Sequence, residues 1–360
     1  MAKVLVGMSG GVDSSVAALL LKEQGYEVIG VTMNVWEREN PIVSEKACCA
    51  LDAVNDARAV CNKLDIEYYV LNFRDTFKAM VIDYFAKEYM AGRTPNPCTA
   101  CNRYVKFEAL LQKALHVFEC DFIATGHYAK VEFDEKTGRY FLRKSVTDKK
   151  DQTYALYNLT QEQLKHTLMP LGDYTKEQVR EIAEKNGLVN AKRHDSQEIC
   201  FVEDNDYAKF IEEKYNYKSK PGNFVDMQGH VLGKHNGIIH YTIGQRKGLD
   251  IAFGKRMYVV GLDVEKNQVI LGDDKDLFKD SLICEGLNWM TIDKLETPMS
   301  VTAKIRYSAK CEPATLIPMG DKVKVVFNEP QRAITSGQSV VFYDDDKVVG
   351  GGTICVTIQT

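Results

Sequence analysis

The chain has 360 residues, 45% hydrophobic and 27% charged, a composition typical of a soluble globular protein with two or three domains. No window reaches the ~20 uninterrupted apolar residues of a membrane helix, and the N-terminal apolar run is too short for a signal peptide, so the sequence predicts a cytoplasmic protein without a membrane partner. Ten cysteines without a disulfide-like spacing favour reduced cytosolic thiols, and a net charge of −4 weighs weakly against a nucleic-acid partner.

Strand-like and helix-like patterns alternate through the first third of the chain. Lys3 to Met8 predicts a strand, Val12 to Gln24 a helix that Gly25 ends, and Tyr26 to Val35 a second strand. The alternation continues to a strand over 121–125, with one helix expected from Tyr104. Strands separated by helices indicate a doubly wound, mostly parallel sheet, which binds ligands at the carboxyl ends of its strands.

The predicted secondary-structure pattern changes further along the chain. A β-hairpin is predicted near residues 130–145 and helical patterns from Thr160 to Asn186, but short β runs dominate after Tyr215 and resemble a barrel or sandwich near the end. The sequence therefore predicts an α/β fold with three parts: a catalytic domain over 1–205, a small central domain over 206–277 and a C-terminal β-barrel over 278–360.

Two basic segments stand out within this acidic chain. Residues 214–256 carry eight Lys or Arg against two Asp, a local balance of +6, interleaved with aromatic residues. Residues 139–150 carry five basic residues against Asp148. Either segment is a solvated face or a nucleic-acid contact, and charge alone favours neither interpretation.

The first predicted strand runs into a glycine-rich loop, Ser9 to Ser15, and then into a helix. Two glycines permit a tight turn, and a helix N-terminus presents free N–H groups to an anion, so the loop predicts a phosphate site. It lacks the lysine of a Walker motif, which favours holding pyrophosphate as a leaving group, with Asp13 helping to place Mg²⁺. An ordinary helix cap is the alternative.

The string Ser9 to Ser14 matches SGGxDS, and here the sequence resembles the PP-loop ATP pyrophosphatase superfamily. The resemblance implies cleavage of ATP between its α and β phosphates and transfer of AMP to a substrate oxygen. The superfamily includes synthetases of GMP and argininosuccinate and RNA sulfur-transfer enzymes, among which the loop alone does not choose.

Cysteines supply the second candidate site. Cys98 and Cys101 form a Cys-x-x-Cys stiffened by two prolines and followed by a helix, whose dipole lowers the pKa of a thiol at its N-terminus. Half of a zinc site or a dithiol redox pair are alternatives, and zinc is disfavoured because no second Cys-x-x-Cys or His pair completes four ligands. A third thiol, Cys200, taken alone would more often be structural.

Over essentially its full length the chain is similar to the bacterial tRNA-specific 2-thiouridylases. The matching strings, in order, are GMSGGVDSS, TPNPCTACNRYVKF, ATGHYAK, KDQTYALY, DSQEICFV, GKHNGIIHYTIGQRKGL, KIRYS and SGQSVVFY. The resemblance implies that ATP activates the wobble uridine of tRNAs for Lys, Glu and Gln, and that sulfur from an upstream protein donor replaces the C2 oxygen.

The resemblance also implies roles for individual residues. Cys101 is the expected nucleophile and Cys200 the expected persulfide carrier. The ATP site is expected to comprise Gly7, Met8, Ser9, Gly10, Gly11, Val12, Asp13, Ser14, Met33 and Gly126. Three residues are expected against the target base: Asn96, Pro97 and Cys98. The remaining tRNA contacts are expected to be His127, Lys150, Asp151, Gln152, Arg306, Tyr307 and Gln338.

One departure from the family pattern concerns Cys98, where many relatives have Asp. If that carboxylate accepts a proton, Cys98 must substitute for it. A persulfide on Cys200 is the first interpretation, and a [4Fe–4S] cluster held by Cys98, Cys101 and Cys200 is the second. The rival classes are a PP-loop synthetase acting on a small molecule and a non-enzymatic RNA-binding or redox protein.

Overall fold

The computed structural model describes residues 1–36, 51–191, 199–202, 206–249 and 255–358. A five-stranded, all-parallel sheet forms its first layer, in the spatial order β3-β2-β1-β4-β7. The bounds are β1 Lys3–Gly7, β2 Glu27–Asn34, β3 Glu67–Asn72, β4 Phe122–Ala124 and β7 Thr167–Leu168. The predicted doubly wound sheet is confirmed.

Helices cover both faces of this sheet. They are α1 Val12–Glu23, α2 Leu51–Leu64, α3 Arg74–Phe77, α4 Asp83–Met90, α5 Pro97–Ala100, α6 Leu110–His116, α7 Gln161–Lys165, α8 Lys176–Lys185 and α9 Tyr207–Tyr215, with π-helical turns at Lys78–Ile82 and Cys101–Ala109. Along β1, Val4 and Val6 pack into one hydrophobic cluster and Leu5 into another. The strand is therefore buried on both faces, as strands of parallel sheets are.

Two predicted helices differ from the structure. The helix expected from Tyr104 begins at Pro97, because Asn96 caps it and proline suits the first helical position. The helical pattern expected from Thr160 to Asn186 is divided, since Pro170 interrupts it and β7 pairs with β4 at the sheet edge. No helix in the described ranges is long and apolar enough to span a membrane.

A four-stranded sheet in the order β10-β11-β8-β9 forms the middle of the chain. Its strands are β8 Gly222–Val225, β9 Val231–His235, β10 Tyr258–Asp263 and β11 Gln268–Gly272. It has its own small hydrophobic cluster, centred on Phe224, Val259 and Leu271.

Six antiparallel strands close into a barrel, because β12 pairs with both β15 and β17. They are β12 Phe278–Trp289, β13 Met299–Lys304, β14 Glu312–Met319, β15 Lys322–Arg332, β16 Ser339–Asp344 and β17 Lys347–Ile358. The predicted barrel is confirmed. Sequence patterns missed β12 and β14, because glycine and asparagine in β12 and two prolines in β14 weaken the strand signal.

The predicted hairpin is present as β5 Ala129–Asp134 and β6 Arg139–Lys144, but it belongs to the barrel sheet. Arg143 pairs with Lys347 of β17 and forms ion pairs with Asp346 and Glu132 at 2.6 and 2.8 Å. The barrel is thus attached to a segment that follows β4 directly, which brings C-terminal residues close to the first sheet.

Candidate active site

The glycine-rich loop lies at the carboxyl end of β1. Gly10 has φ +72°, a backbone conformation that favours glycine. A Cβ at this position would lie 2.3 Å from the Ala53 carbonyl oxygen, and therefore no larger residue fits. The amide of Ser9 donates to Ser14 Oγ at 3.1 Å, and Ser14 Oγ donates to the Gly11 carbonyl at the same distance. Among the residues that the structure describes, no side chain caps the N-terminus of α1, which suits the binding of an anion at its first turn.

The next strand of the sheet completes this loop. A Cβ on Gly126, just after β4, would lie 2.7 Å from the Asp13 carbonyl carbon and the Ser14 nitrogen. The predicted ATP residues Gly7 to Ser14 and Gly126 therefore lie together. Met33, near the end of β2, is half-buried against the adjoining hydrophobic cluster.

Three polar residues that sequence patterns did not select stabilise the loop through hydrogen bonds. Lys176, only 5% exposed, donates to both Asp13 carboxylate oxygens at 2.8 and 2.9 Å, and the Tyr128 hydroxyl donates to the same carboxylate at 2.7 Å. Asn190 donates to the Gly10 carbonyl and Ser15 Oγ at 2.9 and 2.8 Å. Lys176 and Asn190 are distant in sequence from the loop, so only the fold reveals them.

The Cys-x-x-Cys segment lies in a helical stretch that begins at Pro97. Asn96 Oδ1 accepts the amides of Cys98 at 3.1 Å and Thr99 at 3.3 Å, so the side chain predicted to contact the base also caps this helix. Cys98 is exposed and Cys101 half-buried. Because the two cysteines are three positions apart, their side chains lie on one helix face.

Cys101 and Cys200 both pack, half-buried, against one hydrophobic cluster. Phe201, beside Cys200, anchors its segment there through ring contacts with Phe77 at 5.7 Å and Phe85 at 5.2 Å. Both thiols, ninety-nine positions apart in the sequence, thus border the same large hydrophobic cluster, as does Cys311. Residues 195–198 of the predicted motif lie outside the described residues.

Two buried asparagines fasten the thiol helix to residues 153–158. Asn102 Nδ2 donates to the Ala155 carbonyl at 2.9 Å, and Asn158 Nδ2 donates to the Thr99 carbonyl at 3.5 Å. The thiol helix donates one of these hydrogen bonds and accepts the other. The helix and residues 153–158 therefore stabilise each other's position. Sequence patterns gave no signal for this pair, because buried asparagines resemble loop residues until their partners are known.

His127 connects the thiol helix to the loop. Its ring lies 5.8 Å from that of Phe107, its Nδ1 is 2.7 Å from Thr125 Oγ1, and Gly126 precedes it. Burial lowers the pKa of His127 well below 6.5, and Lys106 lowers it further, so the imidazole is neutral.

The C-terminal barrel holds the backbone that leads into the thiol helix. The Thr94 amide donates to the Ser336 carbonyl at 2.9 Å, and Gln338 Nε2 donates to the carbonyls of Thr94 at 2.8 Å and Pro95 at 3.3 Å. Gly337 has φ +89° and a Cβ there would lie 3.0 Å from the Thr94 nitrogen. Gln338, predicted as a tRNA contact, therefore also positions the Cys-x-x-Cys segment.

Two other predicted tRNA residues, Lys150 and Asp151, act electrostatically on a third, Tyr307. Burial raises the pKa of the Tyr307 phenol, Asp151 and Cys98 raise it further, and Lys150 lowers it. Asp151 is buried and accepts hydrogen bonds from the Ser145 amide and the Thr153 hydroxyl at 3.3 and 2.6 Å.

The side chains of Gln152 and Arg306 differ in their surroundings. Gln152 accepts the Tyr128 amide at 2.9 Å, which ties it to the strand that follows the loop. Arg306 lies within electrostatic reach of the buried Tyr154 phenol, itself bonded to the barrel through the Ser339 carbonyl at 2.9 Å.

Five half-buried cations come from three parts of the chain. Each acts electrostatically on a group already described or on its neighbour; they are Arg103, Lys106, Lys150, Lys304 and Arg306. In the basic segment 214–256, Lys214 lies over the Trp36 ring and Lys255 pairs with Asp273, whereas Arg246 and Lys247 are exposed. RNA contact by that segment stays a prediction.

Asp13 is the carboxylate beside the loop that would hold Mg²⁺, and its oxygens also accept hydrogen bonds from Lys176 and Tyr128. Across the described ranges, no three His, Cys, Asp or Glu side chains converge as a protein-only metal site requires, and this includes the three candidate thiols. Mg²⁺ commonly takes one carboxylate and completes its shell with phosphate oxygens and water, which an aspartate beside a phosphate loop allows.

Comparison with protein families defines the class first. A tRNA methyl transferase HUP domain matches residues 2–204, a tRNA methyl transferase PRC-barrel domain residues 208–273 and an aminomethyltransferase beta-barrel domain residues 279–354. The protein is a HUP-domain α/β protein carrying two β domains.

Curated relatives then define the family. A protein named tRNA-specific 2-thiouridylase MnmA from Acetivibrio thermocellus is 63% identical over 356 residues, covering 98% of this chain and 99% of the relative. Another of that name from Clostridioides difficile is 60% identical over 353 residues, 98% of both chains. The chain belongs to the tRNA-specific 2-thiouridylase family.

Proposed function

We propose that the protein activates a tRNA uridine with ATP and replaces its C2 oxygen with sulfur. The single observation that carries the proposal is that Cys101 and Cys200 both border one hydrophobic cluster, and that the helical segment of Cys101 is connected through Phe107 and His127 to the glycine-rich loop. A synthetase acting on a small molecule would need the loop but not the paired thiols.

Activation is required because the C2 oxygen of uracil is a poor leaving group. In the proposed first step this oxygen attacks the α-phosphate, the bond between the α-phosphorus and the bridging oxygen breaks, and pyrophosphate leaves. The uncapped N-terminus of α1 would bind the negative charge that the leaving group gains. Mg²⁺ held by Asp13 would supply further charge stabilisation to the phosphates.

Sulfur then replaces the activated oxygen. Cys101 thiolate attacks the inner sulfur of a Cys200 persulfide, which forms a Cys101–Cys200 disulfide and releases hydrosulfide. Hydrosulfide adds at C2 and expels AMP, which carries away the original oxygen. An external thiol reductant returns the disulfide to two thiols, and an upstream protein donor reloads Cys200.

Within the described part of the chain, Cys98, Cys101 and Cys200 form no group that could hold a metal ion, which favours the persulfide over a [4Fe–4S] cluster. Cys98 is exposed and acts electrostatically on Tyr307, which suits contact with an extruded base. An anticodon loop fits the surrounding cations, since RNA loops are bound through phosphates and unstacked bases.

We also propose domain boundaries at 205/206 and 277/278. Separate hydrophobic clusters in the central sheet and the barrel support this division, as do the three matched stretches. The barrel belongs functionally to the first domain, since residues 336–338 hold its thiol segment.

The direct test is nucleoside mass analysis of tRNA after reaction with the purified protein, ATP and a sulfide or persulfide donor. We expect 2-thiouridine together with AMP and pyrophosphate, and no ATP turnover without tRNA. ATP turnover that is indifferent to tRNA would instead favour the small-molecule synthetase. Activity that appears only after anaerobic iron–sulfur reconstitution would favour the cluster.

Asp13→Ala tests the nucleotide half of the proposal. We expect AMP formation to fall by roughly a hundredfold, a typical loss when charge stabilisation is removed. Asp52→Ala, an exposed aspartate in the first turn of α2, is the matched control. Unchanged AMP formation by Asp13→Ala would remove its assigned role.

A further inference from the structure

Thr94 lies where the three domains of the chain meet. It precedes by two residues Asn96, which caps the thiol helix. Its amide donates to Ser336 of the barrel, and its carbonyl accepts from Gln338. Its hydroxyl donates instead to the Thr242 hydroxyl of the central domain, at 3.4 Å. All three polar groups of Thr94 are therefore bonded outside the first domain, at the point where the backbone enters the Cys-x-x-Cys segment.

Two glycine contacts show how closely the neighbouring domains approach this backbone. Gly92 has φ +69°, and a Cβ there would lie 2.6 Å from Cγ2 of Val264, just after β10 in the central domain. On the barrel side, a Cβ on Gly337 would lie 3.0 Å from the Thr94 nitrogen. The backbone over 92–94 is thus enclosed between the central domain and the barrel, and its position depends on both.

We propose that Thr242 is a positioning residue for the Cys-x-x-Cys segment, acting through Thr94. The inference rests on the thiol chemistry proposed above. Proline fixes φ, and Pro95 and Pro97 lie on either side of the helix cap, so the backbone between Thr94 and the thiol helix has little freedom. A shift at Thr94 would therefore be passed on to the helix that carries Cys101.

The hydroxyl of Thr242 has two further partners. Burial raises the pKa of the Tyr89 phenol and of the Tyr207 phenol, and a hydrogen bond with Thr242 lowers each. The two rings are stacked, with their centroids 4.3 Å apart. A threonine hydroxyl donates once and accepts twice, so Thr94 and the two phenols use its full capacity. The two tyrosines therefore orient the hydroxyl that accepts from Thr94.

Stabilising its own turn would be an alternative role for Thr242. That turn is formed by other groups, because the Thr242 amide donates to Gln245 Oε1 at 3.0 Å and the Gln245 amide donates to the Thr242 carbonyl at 3.0 Å. Both hydrogen bonds use the backbone of Thr242 and leave its hydroxyl to the contact between domains. Replacing the hydroxyl by a methyl group should therefore preserve the turn and remove the contact with Thr94.

The experiment compares Thr242→Val with Thr242→Ser in the full-length protein, without RNA. Valine keeps the shape of threonine and lacks its hydroxyl, whereas serine keeps the hydroxyl. We expect iodoacetamide to alkylate Cys101 at least about twofold faster in Thr242→Val, measured by peptide mass spectrometry, because the segment loses a hydrogen bond that holds it. Thr242→Ser should restore the original rate. Thr315→Val makes the same change at a half-buried position of β14 and is the control.

Steady-state thiolation supplies a second readout. In Thr242→Val we expect kcat to fall by about three- to tenfold, with KM for tRNA and affinity for ATP within about twofold of the original, because misplaced thiols slow the reaction without altering either binding site. Adding Thr94→Val to Thr242→Val should have little further effect, since the two hydroxyls share one hydrogen bond.

The outcomes separate this inference from the proposed function. An unchanged alkylation rate at Cys101 in Thr242→Val would overturn the positioning role, and so would equal losses of kcat and ATP affinity, which indicate general destabilisation. If Thr242→Val does not fold, Thr94→Val removes the same hydrogen bond from the other side and its alkylation rate decides. An original protein that forms no 2-thiouridine would contradict the proposed function, whereas alkylation would still decide the role of Thr242.

Discussion

The nucleotide loop and the thiol site differ in how they are assembled. The loop is a contiguous string whose turn depends on its own glycines and serines, with support from Lys176 and Asn190. The thiol site is composite: Cys101 depends on residues 153–158 and on the barrel residues 336–338, and Cys200 reaches it from another segment. A contiguous site can be changed independently, whereas a composite site responds to changes far away in the chain.

The largest effect is expected from Cys101→Ser and Cys200→Ser. Either change should reduce thiolation by at least about a thousandfold, because a hydroxyl neither carries nor releases sulfur. ATP affinity should persist, because the loop does not depend on the thiols. Nucleoside mass analysis and calorimetry measure the two properties, with Cys311→Ser, another half-buried thiol on the same hydrophobic cluster, as the control. Full thiolation by either variant would contradict the assigned roles.

A distant change in the barrel should come next. Gln338→Ala removes the hydrogen bonds to the carbonyls of Thr94 and Pro95, so we expect thiolation to slow by about tenfold through misplacement of the thiol helix. Gln331→Ala is the matched control, since that amide donates to the carbonyl of Glu329 in its own strand.

The Gln338→Ala variant also distinguishes a role of Gln338 in positioning the thiols from a role in contacting RNA. If Gln338 positions the thiols, iodoacetamide should alkylate Cys101 at a changed rate in Gln338→Ala without any RNA present. Unchanged alkylation together with weaker tRNA binding would reduce Gln338 to a simple RNA contact. ATP affinity should remain unchanged in both cases.

A moderate effect on stability is expected at the asparagine pair. Asn102→Ala leaves the Ala155 carbonyl without its donor, so the free energy of unfolding should fall by about 1–3 kcal/mol. Urea denaturation measures the loss. Asn186→Ala, which removes a bond from an asparagine to Ile182 in its own helix, should cost less because that end is more exposed. Equal losses of unfolding free energy in the two variants would show that the hydrogen bond of Asn102 contributes no more to stability than that of Asn186.

The smallest effect concerns His127, which lies between the two regions. Burial keeps its pKa well below 6.5, so the unfolded chain binds more protons than the folded protein as the pH falls through that value. Stability therefore rises with pH in this window, by at most about 1.4 kcal/mol per pH unit.

Replacing the imidazole tests this contribution. His127→Asn should flatten the dependence of the unfolding free energy on pH between about pH 5 and about pH 7, measured by urea denaturation. His116→Asn is the control, since that side chain is exposed. A slope that is unchanged in His127→Asn would show that another group titrates.

Sequence patterns predicted the parts of the fold that local periodicity controls. The parallel sheet, α1, the hairpin and the barrel were all expected, and the bounds of α1 nearly agree because Gly25 ends it. The attachment of the hairpin to the barrel was not predictable, because pairing between Arg143 and Lys347 is a long-range contact without a local pattern. The resemblance pointed to the thiols and the loop.

Sequence patterns did not identify the residues that position the candidate site residues through buried hydrogen bonds. Lys176, Asn102 and Asn158 look like helix or loop residues until their partners at Asp13, Ala155 and Thr99 are known. Such residues were missed because their signal is a buried hydrogen bond, which has no sequence period. Gln338 was expected for another reason, and its contact with the thiol segment was not.

The most direct test of the composite site is peptide mass spectrometry of the protein after one turnover with tRNA, ATP and a persulfide donor, without external reductant. Sulfur transfer between positions 101 and 200 predicts a linked pair of peptides, in an amount equal to the 2-thiouridine formed. Thiolated tRNA that accumulates while both cysteines remain unlinked would contradict the account.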